Sequence, residues 1–133
     1  GSVAPAPQQL RLIQVVPLPT LDIDDSAPAT QYDAATDGVL MIRYLLGYRD
    51  AALIAGAISP SARRNATQIA AHIASNLTRL DVDGDGQTLA LTDGVMILRR
   101  LLGITGPAAI TQGVKNSARS DADVVQAIDA LKP

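Results

Sequence analysis

The sequence predicts an all-α fold for this chain of 133 residues. Hydrophobic residues make up 47% of the chain, yet it contains no Phe, no Trp and three Tyr. This aliphatic composition favours helices over a β-sandwich, which draws on aromatic and β-branched side chains. A segment with apolar residues at helical spacing also occurs twice, and each copy ends in glycine. We therefore expect a small helical domain built from two related halves.

The repeated segment defines the predicted organisation of the chain. TDGVLMIRYLLG at residues 36–47 returns as TDGVMILRRLLG at residues 92–103, at an offset of 56 residues and with eight of twelve positions identical. Such self-similarity indicates an internal duplication. We predict a proline-rich linker or extended segment at 1–20, repeat one at 21–79 and repeat two at 80–133.

Each copy of the repeated segment predicts a helix of about ten residues. Asp37 and Asp93 stand at the start of these helices, where a carboxylate suits the positive end of the helix dipole. Gly47 and Gly103 stand where a C-cap would end them. The apolar residues at helical spacing are Val39, Ile42, Leu45 and Leu46 in the first helix and Val95, Leu98, Leu101 and Leu102 in the second.

A second helix is predicted in each repeat. Residues 65–77 carry apolar side chains on one face, with Asn65 as the N-cap and Gln68 three residues later, the pattern of a capping box. Residues 120–131 repeat this pattern behind Ser120. The apolar positions are Ile69, Ile73 and Leu77 in the first of these helices and Val124, Ile128 and Leu131 in the second. The predicted order is loop, helix, helix, occurring twice.

The stretch LDVDGDGQTLALTDG at residues 80–94 predicts a calcium site. Aspartates at loop positions 1, 3 and 5 followed by glycine at position 6 begin an EF-hand loop, because alternate side chains converge on one point and glycine permits the sharp turn. The closing acid falls at position 13 instead of 12, and we expect the extra residue to be absorbed between Thr88 and Thr92. The expected ligands are Asp81, Asp83, Asp85, Gln87 (through its backbone carbonyl) and Asp93.

The residue types in this loop favour Ca²⁺. Oxygen ligands without histidine or cysteine select calcium over zinc or copper, and the number of ligands favours Ca²⁺ over Mg²⁺. All 13 acids of the chain are aspartates, and nine of them lie in two short segments. An acidic turn without an ion is the alternative. We favour the ion because the loop runs into a helix with a closing acid and occurs in two copies.

The first acidic loop, at residues 22–37, is longer and predicts a second calcium site. It has three more residues than its counterpart, with Pro28 among them, and serine falls at position 5. Asp33 supplies the carboxylate that Leu89 lacks in the second loop. The expected ligands are Asp22, Asp24, Ser26, Gln31, Asp33 and Asp37. The alternative is a relic loop held by hydrogen bonds alone.

DVDGDG followed by TDGVMILRRLLG, and TDGVLMIRYLLG in the other copy, resemble the duplicated segment of dockerin modules. In that family a calcium loop runs directly into a helix that ends in a basic pair or Arg-Tyr, two leucines and glycine. The resemblance covers about 50 of the 133 residues. It implies two pseudo-symmetric calcium-loop/helix repeats, as in dockerins and EF-hands. The partner-facing positions that it implies are Thr36, Arg43, Tyr44, Thr92, Arg99 and Arg100.

Dockerins bind cohesin domains and so attach secreted enzymes or adhesins to larger assemblies. The resemblance implies a non-catalytic calcium-binding module that stabilises or attaches a secreted or cell-surface protein, with a cohesin-like or neighbouring domain as its partner. Two alternatives stay open: a calcium-dependent structural spacer without a cohesin partner, and an EF-hand sensor that opens a hydrophobic groove. The sensor fits less well, because such grooves use Met and Phe, and Met41 and Met96 are the only methionines.

Composition argues against several other classes. The net charge of −2 provides no basic field for nucleic acid, and no apolar run reaches the length of a membrane span. The lack of cysteine excludes disulfides and thiolate metal sites. The only histidine, His72, lies in a predicted helix as an ordinary half-buried or surface residue would, and no serine lies in a nucleophile-elbow pattern. We therefore expect no enzymatic activity.

Overall fold

A computed structural model describes residues 19–133. Within this range the chain forms seven α-helices and no β-strand, which confirms the all-α prediction. The helices are α1 (Val39–Leu45), α2 (Asp50–Ile54), α3 (Ala66–Ser75), α4 (Leu77–Leu80), α5 (Val95–Leu101), α6 (Pro107–Thr111) and α7 (Asp121–Asp129). Nearly all of the extended segment predicted at 1–20 lies outside the described residues.

Four of these helices, α1, α3, α5 and α7, correspond to the predicted ones. The sequence did not predict α2, α4 and α6, because segments of four or five residues are too short to show helical periodicity. A search of residues 19–133 for membrane-spanning helices finds none of sufficient length and apolarity.

A π-helical turn precedes each of the helices α1 and α5. The two turns span Ala34–Gly38 and Ala90–Gly94. The amide of each final glycine donates to the carbonyl five residues earlier, at 3.1 Å to Asp33 and at 3.0 Å to Leu89. A π-turn holds one more residue than an α-helical turn. This provides a physical reason for a closing aspartate one position later than in a twelve-residue calcium loop.

The predicted caps are present at the C-terminal ends of α1 and α5 and at the N-terminal ends of α3 and α7. Gly47 and Gly103 have φ angles of 100° and 94°, the left-handed conformation that glycine adopts without strain. The amides of Gly47 and Tyr48 donate back to the last turn of α1, and those of Gly103 and Ile104 donate back to α5, which is the Schellman pattern. The N-terminal caps belong to α3 and α7. Asn65 forms the predicted capping box of α3, and the hydroxyl of Ser120 accepts a hydrogen bond at the start of α7.

Helices α1 and α5 pack antiparallel through reciprocal glycine contacts. A Cβ on Gly38 would lie 2.8 Å from Cδ1 of Leu98 and 3.4 Å from Cδ1 of Leu101. A Cβ on Gly94 would lie 3.2 Å from Cγ1 of Ile42 and 3.7 Å from Cδ1 of Leu45. Each glycine stands at the start of its own helix and faces the end of the other one. The glycines thus allow the close approach of this pair, and the acidic loops lie at its opposite ends.

The core lies between this helix pair, the two loops and the flanking helices. The predicted inward faces of α3 and α7 are confirmed, since their central isoleucines and valine are buried. The prediction for α1 and α5 was wrong in part: Leu46 and Leu102 are 54% and 63% exposed, because they follow the last residue of each helix. Each of these helices also packs against the two helices that follow it in sequence, which adds a second buried face. The side chains on that face are Leu40, Met41, Met96 and Ile97.

Candidate metal centres

The structure brings seven aspartates of the acidic segments into two clusters. In each cluster one carboxylate oxygen per residue lies within 4.8 Å of the same kind of atom in every other member. Like charges this close repel one another unless a cation or protons lie among them. These groups can therefore hold a metal ion. The loop-one cluster consists of Asp22, Asp24 and Asp37, and the loop-two cluster consists of Asp81, Asp83, Asp85 and Asp93.

Burial makes the uncompensated charge of these clusters costly. All three members of the loop-one cluster are buried, and Asp24 and Asp37 have no exposed surface. In the loop-two cluster Asp83 and Asp93 are buried, whereas Asp81 and Asp85 are partly exposed. A buried ionised carboxylate requires a compensating charge or hydrogen bonds.

Asp37 closes loop one from the π-helical turn before α1. Its Oδ1 accepts a hydrogen bond of 2.7 Å from the amide of Ile23, and its Oδ2 accepts one of 2.9 Å from the amide of Asp33. Asp93 closes loop two in the related way: its Oδ1 accepts from the amide of Asp83 at 3.4 Å and its Oδ2 from that of Leu89 at 3.1 Å. The two helix-starting aspartates thus tie the beginning of each loop to its end.

Two carboxylate oxygens of the clusters are buried without a hydrogen-bond donor among residues 19–133. They are Asp24 Oδ1 and Asp81 Oδ1. The second oxygen of each group is satisfied: Asp24 Oδ2 accepts from the amide of Ser59 at 2.9 Å, and Asp81 Oδ2 accepts from that of Gly86 at 2.9 Å. Burying an acceptor without a partner costs about 1–3 kcal/mol. A cation bound among the carboxylates would remove this cost, so the residues fit a metal ion.

The pKa values of the helix-starting aspartates reflect the same surroundings. Burial, together with the charges of Asp24 and Asp22, raises the pKa of Asp37 to about 7 despite two backbone hydrogen bonds. Burial, together with the charges of Asp83 and Asp81, raises the pKa of Asp93 to about 6. Without a metal ion these two carboxylates therefore hold their protons to higher pH than an ordinary aspartate does, and a metal ion competes with those protons for the same oxygens.

The two partly exposed aspartates of loop two have pKa values that are shifted in opposite directions. Burial raises the pKa of Asp81, helped by the neighbouring carboxylates. The pKa of Asp85 is lowered, chiefly because its Oδ1 accepts a hydrogen bond of 3.0 Å from the amide of Gln87. The side-chain amide of Asn116 also donates to Asp85, at 3.1 Å to Oδ2. Asp85 is thus held as a carboxylate at the surface of the cluster.

Four other predicted ligands lie outside the carboxylate clusters. The hydroxyl of Ser26 donates to the carbonyl of Thr30 at 2.9 Å. The carboxylate of Asp33 accepts a hydrogen bond of 3.2 Å from the hydroxyl of Thr36. Gln31 and Gln87 are exposed residues. Position 5 of loop one therefore turns its side chain toward its own loop, and only three carboxylates gather there.

The arginines at two of the predicted partner-facing positions are engaged within the chain. Arg43 donates to the carbonyls of Leu53 and Ala55 at 3.2 and 2.7 Å. Arg99 donates to the carbonyls of Ile110 and Gln112 at 3.0 and 2.8 Å. These carbonyls lie at the C-terminal ends of α2 and α6. Each guanidinium group thus caps the short helix that follows its own.

The other four predicted partner-facing residues also have contacts within the chain. They are Tyr44, Arg100, Thr36 and Thr92. Arg100 forms two hydrogen bonds of 2.9 Å with Asp129, which lower the pKa of that carboxyl. The guanidinium of Arg49 lies 3.7 Å above the ring centre of Tyr44. The hydroxyl of Thr92 donates to the carboxylate of Asp93, next to it in sequence, and the hydroxyl of Thr36 donates to the carboxylate of Asp33. The two threonines thus belong to the closing turns of the loops.

Two segments that were not predicted from the sequence reach the clusters from a distance. Ser59 donates its amide to Asp24, and Asn116 donates its amide to Asp83, both at 2.9 Å. The donors and acceptors are 35 and 33 residues apart in the chain. A contact made by a backbone amide leaves no signature in the sequence. The one weak signal for these contacts is Asn116, whose side chain is an amide and which lies shortly before the N-cap of α7.

The chain was compared with protein-family models, with curated proteins and with solved structures, and no match was found in any of the three comparisons. Its functional interpretation therefore depends on its own residues. Those are the two carboxylate clusters, their unpartnered oxygens and the segments that contact them.

Proposed function

We propose that this chain is a non-catalytic, calcium-binding, dockerin-like module that stabilises or attaches a secreted or cell-surface protein through protein–protein interaction. The observation that carries the proposal is the burial of Asp24 Oδ1 and Asp81 Oδ1, each without a hydrogen-bond donor in residues 19–133 and each within a carboxylate cluster. Buried polar atoms in folded proteins are almost always satisfied. A cation in each cluster satisfies both atoms.

The chemistry of the ligands favours Ca²⁺. Both clusters consist of carboxylates on turns, and the chain has no cysteine and only one histidine. Calcium takes six to eight oxygen ligands in flexible geometry, whereas Mg²⁺ requires a near-ideal octahedron. The loops supply three and four carboxylates, which leaves room for backbone carbonyls and water. When bound, calcium would supply positive charge, and the aspartates would hold it.

Related contacts in the two halves support a pair of like sites. The closing aspartates Asp37 and Asp93 each stand in a π-helical turn and accept from the backbone at both ends of their loop. The position-3 aspartates each accept one amide from a distant segment, Ser59 in the first half and Asn116 in the second. These parallels follow the sequence repeat and favour two calcium-loop/helix units of the dockerin or EF-hand kind.

In this proposal calcium has a structural role. Without it each cluster must protonate or tolerate repulsion between buried carboxylates, which disfavours the folded state. A ligand that binds only the folded chain adds RT ln(1 + [L]/Kd), or about 2.7 kcal/mol at a hundredfold excess over Kd. Extracellular calcium modules have Kd values of roughly 10⁻⁴–10⁻³ M. A secreted or cell-surface location would supply calcium at such concentrations.

A second candidate, a structural spacer that binds calcium without a cohesin partner, is favoured by one observation. Arg43 and Arg99, which the dockerin resemblance assigns to the partner, cap helices of their own chain. A calcium sensor is less well supported, since the grooves that sensors open on binding calcium use Met and Phe, and this chain has two methionines and no phenylalanine.

The test is a calorimetric calcium titration of the chelator-treated chain, followed in parallel by circular dichroism. We expect two bound ions with a gain of helical signal. One ion would mean that only one loop is functional. A chain that is fully folded without calcium and binds none would refute the proposal.

The attachment role has its own test, a binding assay against immobilised cohesin domains with and without calcium. Calcium-dependent capture would favour the dockerin-like adaptor, and two bound ions without capture would favour the spacer. The double variant Arg43→Ala/Arg99→Ala serves as the comparison. Capture that is unchanged in this variant would exclude these arginines from the interface.

A further inference from the structure

In each repeat a segment that follows the loop and its first two helices folds back onto the acidic loop. We call these two segments the closing segments: residues 55–65, between α2 and α3, and residues 112–120, between α6 and α7. The first donates an amide from Ser59 to Asp24 Oδ2, and the second donates one from Asn116 to Asp83 Oδ2, both at 2.9 Å. Each loop is therefore completed by a third element of the fold.

Arginines strengthen the contact between each closing segment and its loop. Arg64 donates to the backbone carbonyls of Asp22 and Ile23 at 2.8 and 3.0 Å. Arg119 donates to the carbonyl of Val82 at 2.8 Å. In each of these hydrogen bonds the donor is a cationic side chain, and such bonds are stronger than hydrogen bonds between two neutral groups. They hold the closing segments against the loops without using a carboxylate of either cluster.

The two closing segments differ at one equivalent position. The side chain of Asn116 reaches a carboxylate of its cluster, since its Nδ2 donates to Asp85 Oδ2 at 3.1 Å. The hydroxyl of Ser59 instead accepts a hydrogen bond of 3.1 Å from the amide of Ser61 within its own segment. Only the second closing segment therefore contacts its cluster with both backbone and side chain.

We propose that Asn116 is a positioning residue for the loop-two calcium site, an inference that rests on the calcium-binding function proposed above. Its backbone amide orients Asp83, and its side-chain amide holds Oδ2 of the partly exposed Asp85, whose other oxygen accepts from the amide of Gln87. Hydrogen-bond partners of metal ligands typically change metal affinity 10–100-fold. Loss of the Asn116 side chain lowers the calcium affinity of loop two while leaving loop one unchanged.

The experiment compares Asn116→Ala with Ser59→Ala by calcium calorimetry on the full chain. The Asp81→Asn variant shows which of the two binding steps belongs to loop two, because that step is lost from its calorimetric titration. We expect the affinity of that site to fall about tenfold in Asn116→Ala, and both sites to keep their affinity in Ser59→Ala, which retains the amide that contacts Asp24. Asn116→Gln keeps an amide donor near the exposed Asp85 and should restore most of the affinity.

Two further measurements separate positioning from a merely structural role. The melting temperature of the chelator-treated chain should be the same in Asn116→Ala and wild type, because the residue is exposed. In an Asp85→Asn background, Asn116→Ala should cause no additional loss of affinity, since the pair acts as a unit. An additive loss in that background, or a metal-free melting temperature that falls with the affinity, would overturn the inference.

Failure of the inference is distinguishable from failure of the proposed function. A wild-type chain that binds no calcium overturns both. A wild-type chain that binds two ions, with loop-two affinity unchanged in Asn116→Ala, overturns the positioning role alone.

Discussion

Arg43 and Ala55 are joined by a hydrogen bond of 2.7 Å from the guanidinium group to the carbonyl oxygen. This bond ties α1 to the end of α2, and Arg99 ties α5 to the end of α6 in the same way. Helix ends leave carbonyls without an intrahelical donor, and a nearby cation stabilises them. A residue that the family resemblance assigns to a partner is thus explained here by the stability of the fold.

We expect Arg43→Ala and Arg99→Ala each to lower the free energy of unfolding by about 1–2 kcal/mol, the size of a hydrogen bond from a charged donor reduced by partial exposure. Urea denaturation in saturating calcium measures this loss. Lys132→Ala is the matched control, because its 3.5 Å ion pair with Asp129 lies at the surface and should contribute little. An Arg43→Ala chain as stable as wild type would leave this side chain available to a partner.

Replacing either aspartate that has an unpartnered oxygen, Asp24 or Asp81, should remove one ion. Asp24→Asn and Asp81→Asn keep the size of the side chain but remove its charge, so calorimetry should show a single remaining site in each. The double variant should bind no calcium. Asp123→Asn, an exposed aspartate in the first turn of α7, is the control and should keep both sites. Two ions retained in Asp24→Asn would place the first site elsewhere.

Without calcium, stability should fall as the pH rises. The pKa values of Asp37 and Asp93, about 7 and about 6 in the folded chain, exceed the ordinary aspartate value of 3.8, so the folded state binds protons more tightly than the unfolded state. Their stabilising contribution is fully present below about pH 4 and is lost as the pH rises through 6 and 7. Melting temperatures in chelator should therefore decrease across this range.

Calcium provides the control for this pH dependence. With saturating calcium the carboxylates must be deprotonated to bind, so the decrease should disappear or reverse. Burial lowers the pKa of His72, which destabilises the folded chain in acid in both buffers. The difference between the two melting curves thus isolates the aspartates. An identical pH dependence with and without calcium would contradict the prediction.

Gly84→Ala should destabilise loop two. Its φ is 69°, and an added Cβ would clash with a terminal nitrogen of Arg119, so the substitution both strains the backbone and displaces the arginine that contacts Val82. Gly56→Ala has a similar φ of 67° with no atom within 4 Å. Thermal melts should show about 1 kcal/mol of loss from strain in Gly56→Ala and a larger loss in Gly84→Ala. Equal losses would mean that Arg119 moves aside without cost.

Local features of the fold were predictable, because the sequence alone determines them. The capping box of Asn65 and Gln68 and the terminal glycines Gly47 and Gly103 depend only on neighbouring residues. The carboxylates of DVDGDG converge because alternate residues of a tight turn face one point, so the second cluster was predictable too.

Other features were not predictable. The hydroxyl of Ser26 donates to the carbonyl of Thr30, four residues away in the longer first loop, and this bond leaves the hydroxyl oxygen able to contact a cation. Leu46 has the spacing of a core residue, but its helix ends one residue earlier and leaves it exposed. The amides of Ser59 and Asn116 reach the clusters through chain reversals after α2 and α6, two helices too short to show periodicity.

The antiparallel arrangement of α1 and α5, set by Gly38 and Gly94, also determines how two bound cations would influence each other. The loops lie at opposite ends of helices of seven residues with a π-turn before each, so the ions would be separated by roughly 15 Å at a rise of about 1.5 Å per residue. Two bare divalent charges at that distance would repel by about 1 kcal/mol in water and by about 4 kcal/mol at the effective dielectric constant of about 20 that suits sites within a protein, and salt screens buried charges little. Each ion would, however, lie among three or four carboxylates, whose combined charge exceeds that of a divalent cation, so the two filled sites do not repel as bare cations would.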